Sequence, residues 1–142
     1  MATIATLTLG SNMLSSPISI SASTTLTKAA LTTDLELIEM GRGTIAETDA
    51  SKTAEFGLGT TLGIDKAAKL FLINKATDPT YYIDVDIHDT NLGRLYAGDW
   101  LFIPWGINDV ASEIVIEAEP SGAICPYEFA LFQEPQTLVA HS

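Results

Sequence analysis

The sequence predicts an all-β protein, an antiparallel β-sandwich of jelly-roll type with extended termini. Three observations predict it. Apolar and polar residues alternate with a period of two at 3–9, 18–26, 81–88 and 113–119, the period of a half-buried strand. Turn chemistry recurs at short intervals, as Asp78-Pro79, Ala97-Gly98-Asp99 and Pro120-Ser121-Gly122, which is the punctuation of a sandwich or barrel. The first 61 residues hold thirteen Thr and seven Ser; Thr is β-branched and fits a pleated surface. Heptads and internal repeats are absent.

The elements follow in order. Residues 3–9 and 18–26 are strands, separated by the loop GSNMLSSP at 10–17. The segment LELIEM at 35–40 reads as strand or helix, and Gly41 and Gly43 stop a helix there. A short strand follows at 44–48. The stretch 49–65 holds Gly57, Gly59 and Gly63 with one aromatic, Phe56, and reads as a long loop. Beyond Ala68 the chain changes character, since ten of its eleven aromatic residues lie from Phe71 to Phe132. Strands are expected at 69–74, 81–88, 94–96, 100–104, 113–119 and 125–133. The connections are a turn at 76–80, a turn at 91–94, a tight turn at 97–99, a loop at 105–109 and a turn at 120–122. The whole, 1–142, is one β-sandwich domain with an N-terminal arm at 1–16, the long loop at 49–65 and an extended tail at 134–142.

Length and composition narrow the function. A chain of 142 residues supports one domain with its own core. Hydrophobic residues make up 46% and charged residues 18%, which excludes disorder throughout. The formal net charge is −11, and no Lys or Arg follows Arg94. Such a surface repels phosphate, so nucleic acid and anionic membranes are not its partners; a basic protein surface or a divalent cation suits it better. The same acids also keep a sticky β-protein soluble. No segment reaches the ~18 apolar residues of a membrane helix, and the first residues lack a signal peptide's basic and apolar regions. A soluble, unsecreted protein made in a cytoplasm is expected.

Candidate chemistry is sparse. Cys125 is the single cysteine; with neither His88 nor His141 near it in sequence, it reads as a small buried hydrophobe at the start of a strand. Asp84, Asp86 and His88 are spaced two apart, so a strand sets them on one face, where carboxylates and imidazole are the weak candidates for a divalent metal. The plainer reading is a solvent face opposite buried Ile83, Val85 and Ile87. The glycine-rich 57–63 lacks the Lys-Ser/Thr pair of a phosphate loop and reads as a flexible loop. Glu113, Glu117 and Glu119 share a strand face without the cleft a glycosidase needs, and no Ser/His/acid triad can be assembled. No enzyme and no cofactor are expected. Trp100 and Phe102 are expected to pack in the core, although a pair of exposed Trp would make a sugar platform. Trp105, next to Gly106, is the exposed aromatic and a candidate contact between subunits. Ile4 and Leu7 in the first strand and Leu138 in the tail are further interface candidates, because strands near the termini can pair with a neighbour.

The segments LFLIN (70–74), YYIDV (81–85), LYAGDWLFIP (95–104), EIVIE (113–117) and YEFALF (127–132) together resemble a pattern of small β-sandwich structural proteins in tailed bacteriophage virions. The resemblance covers about residues 68–134. It implies a capsid decoration or cement protein, homo-oligomeric with a trimer among the options. Such a protein would bind the major capsid protein or other virion proteins and brace the shell by binding only its assembled form. Tail, connector and fibre subunits share the architecture. The reading from a different class is a carbohydrate-binding β-sandwich module; a cupin-like enzyme is disfavoured because paired metal-binding histidines are missing.

Overall fold

A computed structural model describes residues 3–10, 19–26, 36–48, 53–56, 66–107 and 113–137. These form ten strands and no helix: β1 (Thr3–Gly10), β2 (Ser19–Leu26), β3 (Glu36–Ala46), β4 (Thr53–Phe56), β5 (Lys66–Asn74), β6 (Tyr82–Ile87), β7 (Thr90–Tyr96), β8 (Trp100–Ile107), β9 (Ile114–Glu119) and β10 (Ile124–Thr137). Every pairing is antiparallel. β1 and β2 form a two-stranded ribbon, and the other eight form two four-stranded sheets, β3-β10-β5-β8 and β4-β9-β6-β7.

The strand order has a simple origin. β6 pairs with β7, β5 with β8, β4 with β9 and β3 with β10. The eight strands are therefore one long hairpin with β6–β7 at its tip, and successive pairs alternate between the two sheets. That is the double-sheet jelly roll. Its core lies between the sheets, where Leu70, Leu72, Leu131 and Cys125 of one meet Ile83, Val85, Ile114, Ile116 and Ala118 of the other, all essentially without exposure. Each large aliphatic side chain so buried contributes about 1.5–3 kcal/mol.

Turns fall where the local chemistry allows them. Asp99 N–H donates to the Tyr96 carbonyl at 2.8 Å with Gly98 at φ 87°, and Ala123 N–H donates to the Pro120 carbonyl at 2.8 Å with Gly122 at φ 83°; both are type II turns, whose third residue needs a positive φ. Asp78 closes the turn at 76–80, its Oδ1 accepting from the Thr80 N–H and hydroxyl at 2.9 and 2.6 Å. Those hydrogen bonds hold the Asp78 carboxyl below its ordinary pKa.

Several elements differ from the sequence reading. β3 runs unbroken through Gly41-Arg42-Gly43, where a break between 40 and 44 was expected. The cause is cross-strand packing: Gly41 stands opposite Phe129 and Gly43 opposite Tyr127. A Cβ on Gly43 would lie 2.5 Å from the Tyr127 ring, and one on Gly41 would lie 3.1 Å from that of Phe129. The glycines leave room for the two rings, which gather against Phe56 of β4 with centroids 6.3 and 5.0 Å away. β4 itself lies inside the 49–65 stretch read as loop; buried Phe56 anchors it, opposite Ile114. The turn expected at 91–94 is at His88-Asp89, both at positive φ (50° and 58°), and residues 91–94 are strand. Two such residues make a type I′ hairpin turn, and His and Asp are among the side chains that tolerate that conformation. β8 and β10 also run past their expected ends, through Trp105 to Ile107 and through Glu134 to Thr137, because they pair with the start of β5.

The one buried polar residue among those described is Asn74, at the end of β5. Its Nδ2 donates to the Leu95 carbonyl of β7 at 2.9 Å, and its Oδ1 accepts from Ala76 N–H at 2.8 Å. Its main chain receives a hydrogen bond from Gly98 N–H at 2.9 Å and gives one to the Asp99 carbonyl at 3.0 Å. Asn74→Leu keeps the side chain's branching at Cγ but strands the Leu95 carbonyl and the Ala76 N–H and adds bulk; a loss of about 3 kcal/mol is expected from equilibrium denaturation. Gly43→Ala is expected to cost about 1–3 kcal/mol by the same measurement, with a neighbouring exposed substitution, Arg42→Ala, close to neutral.

Candidate functional site

Registers across the two sheets define two outer faces of opposite chemistry. Cross-strand partners share a face, so the outer face of β8-β5-β10-β3 can be read in rows. The first is Trp100, Ile73, Glu128, Arg42; the second is Phe102, Phe71, Ala130, Met40; the third is Pro104, Lys69, Phe132, Leu37. Nine of these twelve positions are apolar or proline. Phe71 lies 6.3 Å from Trp100 and Phe102 lies 6.4 Å from Phe132, ring centroid to centroid. Phe132 is buried by its neighbours on this face, whereas Met40 and Trp100 are exposed. The charges are Lys69 and the loose pair of Arg42 with Glu128 at 3.9 Å. An open cleft of about 290 Å³ adjoins the first row, with Thr44, Lys75 and Pro126 on its rim beside Arg42 and Glu128.

The outer face of β7-β6-β9-β4 reads Tyr96, Tyr82, Glu119; then Arg94, Asp84, Glu117, Thr53; then Asn91, Asp86, Val115, Glu55. Five acids stand against one base. Arg94 holds the middle of it: its Nε donates to Asp84 Oδ1 at 3.2 Å, and its guanidinium lies 4.5 Å over the Tyr82 ring. Asn91 also donates to Asp84, at 3.4 Å.

The sequence-derived candidates are distributed as follows. Asp84 and Asp86 share the acidic face, but Asp84 is committed to Arg94, and His88 lies beyond the strand in the left-handed turn. Among the described residues no three or more His, Cys, Asp or Glu side chains converge in a metal-binding arrangement. Trp105 lies in β8 opposite Ala68 rather than in a loop. Ile4 and Leu7 lie in β1 opposite Thr25 and Ala22. Leu138 and His141 fall outside the described residues, as does the glycine-rich 57–63. Trp100 and Phe102 do share a face, but it is the outer one; the expectation of core packing is overturned because Leu101 and Ile103 fill the inner positions of β8.

The apolar outer face was missed, and its signal was present. An antiparallel sheet with one wet face alternates, whereas a strand covered on both faces reads as a continuous apolar run. LFLI at 70–73 and WLFI at 100–103 are such runs, on adjacent strands.

Cys125 is fully buried, with its Sγ 3.5 Å from the Tyr82 carbonyl. Burial pushes its thiol pKa up, so the nucleophilic thiolate is suppressed. Native protein at pH 8 is expected to react with iodoacetamide at least about 100-fold more slowly than protein in denaturant, a ratio of the order set by burial and thiolate fraction. Rapid native labelling would contradict the inert role.

No family model, curated protein or solved structure gave a significant match to this chain.

Proposed function

We propose that this chain is a non-enzymatic structural protein of a virion, a capsid decoration or cement protein that braces the assembled head. The observation that carries the reading is a jelly-roll sandwich with one outer face on which nine of twelve described positions are apolar or proline. Double-sheet jelly rolls serve in viral capsids, in lectins and in cupins. A broad apolar face suits contact with protein over an extended area, not the enclosure of a small substrate. Of the phage-like segments, 70–74, 100–104 and 127–132 lie on strands that build this face, and 81–85, 95–96 and 113–117 lie on the opposite sheet. The partners are then the major capsid protein or other virion proteins and further copies of this chain. A preference for assembled lattice over free subunits stabilises the shell by linkage. The acidic opposite face keeps the particle surface soluble and disfavours nucleic acid. Tail, connector or fibre subunits would use the same face in fewer copies, and a carbohydrate-binding module is the reading that the fold shares with lectins.

Quantitative mass spectrometry of purified particles tests this. Hundreds of copies per particle, in simple proportion to the main shell protein, are expected. A dozen or fewer would move the protein to the tail or connector. Complete absence would overturn the virion role and bring glycan binding forward.

A further inference from the structure

We propose that the apolar outer face of the β3-β10-β5-β8 sheet docks onto the same face of a second copy, giving a two-fold dimer of sandwiches stacked back to back. This rests on the homo-oligomer part of the proposed function and gives the apolar face to a second copy; a dimer on a shell would then meet basic shell protein through one acidic face and solvent through the other, and the dimer itself does not require the virion part. Four large hydrophobics stand in solvent along the strands that build this face: Met40 at 69% exposure, Ile124 at 55%, Trp100 at 47% and Leu37 at 38%. Met40, Leu37 and Trp100 are joined across the sheet by Phe71, Phe102, Ala130 and Phe132, and Ile124 lies on the same face beyond the Arg42–Glu128 row; an exposed apolar patch of this kind marks an interaction site.

Charge selects the occupant. In a chain of net charge −11, most surfaces repel a second copy. The described outer face carries Arg42 and Lys69 against Glu128, so two such faces meet without like-charge crowding. A two-fold contact must be self-complementary, and Arg42 and Glu128 supply both signs side by side. Their ion pair is loose, at 3.9 Å with the Arg42 side chain 85% exposed, which leaves the guanidinium free to reach the opposite copy. Stacking the apolar face on the acidic face instead would bury the carboxylates of Glu55, Glu117 and Glu119 against hydrocarbon, at a desolvation cost. Back-to-back stacking puts the two acidic faces at the far ends. Three intersheet spacings of ~10 Å separate them by ~30 Å, several times the ~8 Å Debye length at physiological salt.

The three rows span four strands ~4.8 Å apart and about five residues at ~3.3 Å each, a footprint of roughly 320 Å² in projection. With side-chain relief that matches the weak, concentration-dependent class of interface.

Size-exclusion chromatography with light scattering on the purified chain tests the proposal, over about 1–100 μM, a range bracketing the micromolar affinities open to an interface of this size. Twice the 15.2 kDa chain mass is expected. Met40→Glu and Trp100→Glu, each on an exposed side chain, are expected to raise the dissociation constant about 30-fold or more, as hot-spot residues do, with unchanged far-UV circular dichroism. Glu117→Gln on the acidic face is expected to leave the dimer intact. A monomer at every concentration, a trimer, an open-ended polymer, or a dimer indifferent to both face variants would overturn it. The particle experiment reads the virion role separately: a dimer absent from particles retains this inference and loses that role, and a monomer abundant in particles does the reverse.

Discussion

The fold depends on a buried amide. A rolled hairpin must carry its chain from one sheet to the other between β5 and β6 and back between β7 and β8, and both crossings occur beside Asn74. Its side chain holds the start of the first crossing through Ala76 and the second sheet through Leu95, while its main chain holds the turn of the second crossing through Gly98 and Asp99. A leucine there would satisfy the hydrophobic effect and leave two backbone groups unpaired, and an unpaired buried group costs more than a made hydrogen bond contributes. One residue therefore links the register of both sheets at the tip of the roll.

Across β10 from Asn74, beginning at its cross-strand partner Tyr127, the sheets are joined by rings. Gly41 and Gly43 surrender their side chains so that Phe129 and Tyr127 can lie across β3, and Phe56 from the short strand β4 closes the cluster. This explains a glycine pair inside a long strand, where glycine ordinarily weakens pairing. Burial in the same cluster, with Glu39 nearby, pushes the Tyr127 phenol above its ordinary pKa, in keeping with a ring held for packing and not for proton transfer.

The outer faces of the two sheets differ in chemistry. One face is aromatic and nearly neutral; the other is acidic and organised around Arg94. That contrast is what the proposed structural role rests on. Among the described residues no three His, Cys, Asp or Glu side chains converge in a metal-binding arrangement, and the Cys125 thiol is buried.

Much of the fold was legible in the residues. Alternation at 82–87 and 114–119 reported strands with one buried face, and Gly98 and Gly122 reported type II turns, because period and positive φ are local properties. The type I′ turn at His88-Asp89 was not legible, since neither residue is the glycine or asparagine that such turns favour; the closure of the hairpin put it there. β4 was hidden for a related reason: four residues are too few to show a period, and it is Ile114, Tyr127 and Phe129, all distant in sequence, that make Phe56 a core residue. The apolar face of Trp100 and Phe102 was half legible, because an unbroken apolar run announces burial on both sides without naming what covers each. The sequence by itself determined the strand content, the turns that need glycine and the acidic balance of the chain. Only the tertiary structure decided which of two apolar faces became the core and which the surface, because that choice depends on the other sheet, a partner that lies distant in sequence and reaches the strand only when the hairpin rolls.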